Sequence, residues 1–225
     1  MINQEERKQI IALVKREVVP AIGCTEPIAV ALCVAKAAEV LGRRPEKVTA
    51  LLSANILKNA MGVGIPGTGM VGLPIAIALG TLIGKSGYQL EVLKDCTPAD
   101  VEEGKRFMAE KRIRIALKEQ IAEKLYIEVH CEAGDDRSVA VIAGGHTTFV
   151  YLERNGEVLL DKQSTAVDEE ESAAPGLTLR KVYDFALTAP LDEISFILET
   201  ARLNKAAAER SFEGEYGHGL GKMLR

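Results

Sequence analysis

The hydrophobic period changes twice along this chain, and that constrains the fold more than any single motif. Up to about residue 84 apolar residues recur at helical spacing. Ile10, Ile11, Leu13, Val14 and Val18 mark an amphipathic helix over 5–18, and Thr25–Leu41 a second, Ala-rich one closed by Gly42. Segments 88–95, 112–119, 125–132, 137–144 and 148–162 instead alternate like strands, with a helix expected over 98–110. Asn155-Gly156 inside the last of these is a strong hairpin signal. Helical spacing returns over 178–187 and 191–210. The class implied is α+β.

Between the second helix and the alternating region, 48–52 reads as a strand, and "SANILKNAM" either extends it or begins a helix. "GVGIPGTGMVG" follows, with glycine at 62, 64, 67, 69 and 72, and then a helix over 73–83. The expected organisation is a helical part of a catalytic domain, 1–85 with 178–225. An antiparallel sheet-plus-helix domain, 86–165, is inserted into it, and the acidic segment 166–177 serves as linker. At the end, "YGHGLGKMLR" reads as a Gly-rich loop leading into a helix that has no room to form, so the chain is expected to be part of a longer protein.

Composition removes several function classes. The net charge is -4, the cations are dispersed, and there are five Phe, five Tyr and no Trp, so neither a basic stripe nor a base-stacking surface exists for nucleic acid. The longest apolar run, 70–84, is too short to span a bilayer and contains Gly72, Pro74 and Gly80. The charged N-terminus is not a signal peptide. Cys24, Cys33, Cys96 and Cys131 are widely spaced without a CxxC pair, which does not read as a disulfide framework. These features describe a soluble cytoplasmic protein, and homo-oligomerisation is left open.

The chemistry concentrates in two stretches. In "AIGCTEPIAVAL", Thr25 is placed as N-cap, Pro27 in the first turn, and Glu26 at the positive end of the helix dipole. Cys24 then sits at a helix N-terminus, where a thiolate is favoured over a thiol. The plainer account is a half-buried structural thiol. The second stretch sets Ser53, Asn55, Lys58 and Asn59 directly before the glycine loop, whose backbone N–H groups ahead of a helix suit an anion. A tight connection between buried elements would also use those glycines. Together the stretches suit a small zwitterion.

Two nucleotide signatures nearly match and are set aside. "GVGIPG" fits G-x-G-x-x-G but lacks the strand–turn–helix context, and "GTLIGKSG" is one residue short of a P-loop. Cys33 reads as core, and Cys96 and Cys131 as structural. His130 and Cys131 point to opposite faces of a strand and do not pair as metal ligands. His146 lies in a turn, and glycines around His218 would let a ligand approach it.

With "GCTEPIAVAL", "SANILKNAMGVGIPGTG" and "YGHGLGKML" in this order, the chain resembles the serine dehydratase alpha-like family, which includes L-cysteine desulfidase. The resemblance runs over essentially the whole chain. It implies an amino-acid β-eliminating lyase with a [4Fe–4S] cluster, converting L-cysteine (or L-serine) to pyruvate, ammonia and sulfide (or water). On that basis Cys24 is a cluster ligand, and Lys58 and His218 are candidates for the catalytic base. Thr25, Ser53, Asn55 and Asn59 line the substrate pocket, and Gly67, Thr68 and Gly69 hold the carboxylate. The family's remaining cluster cysteines are absent from this sequence, so the implied partner is a missing C-terminal half, and the chain alone is expected to be inactive. A different class remains: an amino-acid or small-anion binding module that performs no chemistry. A third reading uses Cys24 as a metal-independent nucleophile, and no sequence feature supplies the His partner it would need.

Overall fold

The computed structural model describes residues 2–162, 176–214 and 219–225. The chain divides into two units, residues 20–166 and residues 1–19 with 167–225.

The first unit is built on helix α2 (Thr25–Leu41). Cys24, in extended conformation, takes the N-cap position, so Thr25 is the first helical residue rather than the cap. Gly42 ends the helix in the left-handed region at φ 79° and donates its N–H to the Ala38 carbonyl. Ile28 to Ala35 are all buried, the signature of a helix packed all round. One side of α2 meets a six-stranded sheet of order β4-β1-β5-β6-β7-β8. The strands are β1 (Lys47–Leu52), β4 (Ile113–Leu117), β5 (Tyr126–Ala133), β6 (Asp136–Ala143), β7 (Phe149–Arg154) and β8 (Glu157–Asp161). Only the β1–β4 pair is parallel. Ser138 Oγ donates to the Ala37 carbonyl at 2.7 Å, stitching helix to sheet.

The other side of α2 meets α4 (Leu73–Leu82), and the two helices run parallel. A Cβ at Gly80 would stand 2.7 Å from the Ala31 carbonyl oxygen, and one at Gly84 2.7 Å from the Ala35 Cβ. Both sequence numbers advance together across the contact, so the N-terminal ends of α2 and α4 lie side by side. Behind α4 packs α5 (Pro98–Ala109), with Gly104 against Ile75. Between β1 and α4 the chain forms α3 (Ala54–Ala60) and a small hairpin, β2 (Gly64–Ile65) and β3 (Met70–Val71).

Two expectations change here. Because β1 lies between β4 and β5, the sheet draws on sequence from both sides of the boundary expected at residue 86, and residues 86–165 do not form a separate insertion. Segment 88–95 is not a strand. Gln89 has φ 52°, which breaks extension inside a 3-10 turn (Ser86–Glu91), and Leu90, Val92 and Leu93 bury together rather than alternately. "SANILKNAM" resolves as helix, with the Ser53 hydroxyl capping the Ile56 N–H. Asn155 and Gly156, at φ 51° and 85°, make the expected tight turn.

The second unit comprises α1 (Gln4–Glu17), α6 (Leu179–Thr188), α7 (Leu191–Ile194), a 3-10 turn (Ser195–Ile197), α8 (Leu198–Glu213) and α9 (Leu220–Leu224). The helix expected over 191–210 is thus interrupted at 195–197, and the segment expected to lack room for a helix forms a short one. The expected linker, apart from Gly176 and Leu177, falls outside the described residues. No described helix is long and apolar enough to cross a membrane.

Candidate functional site

The two chemistry-bearing stretches of the sequence meet in space. Gly23 lies so close to the glycine loop that a Cβ there would stand 2.7 Å from Pro66. Glu26, in the first turn of α2, binds both sides of the junction. It accepts from Cys24 Sγ at 3.1 Å and Thr25 Oγ1 at 3.3 Å through Oε2, and from Asn59 Nδ2 of α3 at 3.3 Å through Oε1. Glu26 is therefore the hub of the cluster, and it was absent from the residues expected to form the site. A carboxylate in a first turn reads as an ordinary complement to the helix dipole. The signal in the sequence is its spacing of two residues from a thiol.

This arrangement reverses the expectation for Cys24. Partial burial and then the adjacent Glu26 carboxylate push its thiol above the ordinary range, and Cys24 is a hydrogen-bond donor rather than a thiolate made by the helix end. The thiol in turn holds the Glu26 carboxyl below its usual range against the opposing effect of burial, with Asn59 and Thr25 assisting. Alkylation of Cys24 by iodoacetamide should accordingly show an apparent pKa above that of a free thiol. Glu26→Gln should speed alkylation at neutral pH by roughly three- to tenfold, since the negative neighbour is gone. An unchanged rate would mean that the carboxylate does not control the thiol.

The remaining predicted residues divide by what their side chains already do. Asn55 and Lys58 are exposed on α3, on the same short helix as Asn59. Gly67 and Gly69 adopt φ 76° and 64°, conformations that glycine favours, and a Cβ at either would meet nothing within 4 Å, so the loop faces open space. Ser53 and Thr68 differ from expectation. Ser53 is buried, its hydroxyl donating to the Lys124 carbonyl at 2.7 Å. Thr68 Oγ1 donates to the Ile65 carbonyl at 2.6 Å and accepts from the Met70 N–H at 3.0 Å. Both hydroxyls shape the scaffold and are not presented to a ligand. His218 lies outside the described residues.

Among the described residues no group of three or more His, Cys, Asp and Glu side chains is placed to hold a metal ion. The four cysteines are free thiols, with Cys33 and Cys131 buried. Clefts of about 450 and 400 Å³ occur elsewhere, the first at Lys47, Thr49, Arg112 and Arg114 and the second at Glu39, Arg44 and Glu103. The Cys24–Glu26–Asn59 cluster is by contrast an open wall beside two helix N-termini.

Comparison with known proteins gives relatives over the full chain. It is 74% identical over 224 residues to a UPF0597 protein of Bacteroides fragilis, covering all of this chain and 52% of that protein. It is 75% identical over 222 residues to a UPF0597 protein of Bacteroides thetaiotaomicron, covering 99% of this chain and 52% of that one. The UPF0597 protein of Porphyromonas gingivalis is 49% identical over 230 residues, covering 100% and 53%. The chain thus spans about half the length of the curated relatives it matches. Neither serine dehydratase nor cysteine desulfidase appears among these names, which overturns the resemblance drawn from the sequence motifs. No family model matches. No solved structure matches.

Proposed function

We propose that this chain supplies one wall of a binding site for a small amino acid, within a longer amino-acid β-eliminating lyase that acts on L-cysteine or L-serine. The reading is carried by the convergence at Glu26, where the Cys24–Thr25–Glu26 turn and the Asn59 side chain are joined by hydrogen bonds beside the glycine loop. The adjacent N-termini of α2 and α4 give that wall a positive pole, suited to a substrate carboxylate on the N–H groups of the loop around Gly67 and Gly69. Glu26 faces a cation such as a substrate ammonium. Lys58, exposed on α3, is the candidate to take the α-proton. Expulsion of sulfide or hydroxide needs a proton, and the Cys24 thiol, protonated beside Glu26, is a donor at hand.

The residues described here do not by themselves fit a [4Fe–4S] cluster, since Cys24 is a single thiol with no companion ligands. Cluster ligands, and a partner segment supplying them, belong to the longer protein under this proposal, as does a cytoplasmic location.

Amide chemical shifts recorded while L-serine or L-cysteine is titrated into the chain provide the test. Shifts should centre on Thr25, Glu26, Gly67 and Gly69, and Glu26→Gln should weaken binding about tenfold or more through loss of a charge-assisted contact to the substrate ammonium. Shifts confined to the cleft at Lys47 and Arg112 would sink the assignment. The same titration bears on a binding or regulatory module that performs no chemistry, a reading favoured by the raised pKa of Cys24, which leaves its thiol poorly suited to attack or to ligate. Binding at this wall, with no pyruvate or sulfide released anaerobically by the full-length Bacteroides fragilis relative, would establish the module instead.

A further inference from the structure

Helix α6 carries Leu179, Val182, Tyr183, Ala186 and Leu187 at i, i+3, i+4, i+7 and i+8, the spacing of one helical face. That pattern ordinarily marks a face turned into a core. Here it is turned out: Leu179 is 88% exposed and Leu187 67%. Leu191 and Leu198, on the elements that follow, are also exposed, at 81% and 70%. Another face of α6 is already used, because Lys181 is paired with Glu6 of α1 at 3.0 Å. Ile10 is the one buried residue among the described residues of this helical unit, so the unit has almost no core of its own. Contiguous apolar surface of this kind is uncommon on a monomer and marks an interaction site.

We infer that this stripe is the docking surface for the part of the longer relatives that lies outside the segment matching this chain. Those relatives carry nearly as much chain again beyond the match. A segment tethered to this unit has an effective concentration in the millimolar range, which favours it over a second copy of the chain. The inference shares with the proposed function the idea of a second part, but it rests on a different surface and does not depend on the chemistry at Glu26.

Hydroxyl-radical footprinting of the α6 peptide, in this chain and in the full-length Bacteroides fragilis relative, tests it without an activity readout. Side chains of the aligned peptide should be modified at least about fivefold more slowly in the longer protein, and modification in this chain should not depend on its concentration. Equal modification in the two proteins would overturn the inference. So would protection in this chain that grows with concentration, which assigns the stripe to a second copy. A third check is Leu179→Asp with Leu187→Asp in this chain, expected to leave its circular dichroism and melting unchanged. A large destabilisation would mean that the stripe already packs within the chain, and the inference would fall. Loss of amino-acid binding with intact α6 protection would damage only the proposed function.

Discussion

Gly80→Val is expected to destabilise the sheet-bearing unit by roughly 3 kcal/mol, read as a lower urea midpoint followed by circular dichroism at unchanged slope. The added Cβ would stand 2.7 Å from the Ala31 carbonyl oxygen and 3.2 Å from both the Ala31 Cα and the Val34 Cβ. Two of those three atoms are backbone of a buried helix, so no side-chain rotation relieves the clash and α2 and α4 must separate. The better helix propensity of Val over Gly offsets only a few tenths of a kcal/mol. Gly64→Ala is the control. Its new Cβ meets nothing within 4 Å, and its cost should stay below about 0.5 kcal/mol. The variant also probes function, because parting α2 from α4 moves apart the two helix N-termini that flank the candidate wall. Binding of L-serine should therefore weaken in Gly80→Val even under conditions where the protein remains folded. If stability is unchanged, the helices do not pack through this glycine, and the electrostatic argument for the site fails with it.

The parts of this fold legible in the sequence are those fixed by local chemistry. Gly42 announced the end of α2, and Asn155-Gly156 the β7–β8 turn, because each needs a left-handed backbone that few residues adopt. Alternation located β5 and β6, where one face of each strand meets α2. The parts that stayed hidden depend on partners distant in sequence. Nothing within 48–52 says that β1 pairs with β4 on one side and β5 on the other, so the sheet seemed to begin after residue 86. Segment 88–95 imitates a strand because Leu90 and Val92 are two apart, whereas the buried neighbour of Val92 is Leu93 and the turn hinges on Gln89. The site followed the same division. Cys24, Asn59 and the glycines were legible as unusual residues in unusual places. Glu26 became visible only as the acceptor common to Cys24, Thr25 and Asn59, and with it the thiol changed from thiolate to proton donor. The glycine stretch at 62–72 encloses a two-stranded hairpin, and in the one at 80–87 Gly84 donates to the Leu79 carbonyl at the end of α4.

A second large effect is expected at the sheet face turned away from α2, where Glu128 gathers three donors. His130 Nε2 lies 2.7 Å from Oε1, while Lys118 Nζ and the Tyr126 hydroxyl donate to Oε2 at 2.6 Å each. The His130 contact, with Lys118 and Tyr126 behind it, lowers the Glu128 pKa to about 2 although burial alone would raise it. A carboxylate whose folded pKa is depressed contributes stability that is fully present above its unfolded value, near 4.5, and that is lost as pH falls toward 2. Its side chain is only 11% exposed, so solvent screens the effect little, and the acid limb attributable to this residue is roughly 3 kcal/mol as a ceiling. Leu51 and Val141 stand opposite Glu128 on the neighbouring strands and offer no competing charge. Glu128→Gln should be less stable than the parent at neutral pH, because Lys118 loses a charged partner, and should lose much less stability between pH 4.5 and 2. Other carboxylates with lowered pKa values, among them Asp100 and Asp136, titrate in both proteins and cancel in the difference. Parallel acid limbs in parent and variant would show that Glu128 is not held ionised by its neighbours. A shallower limb in the variant would show instead that three donors on adjacent strand positions and the end of β4 keep a nearly buried charge in place, and that the β4–β1–β5 edge depends on it.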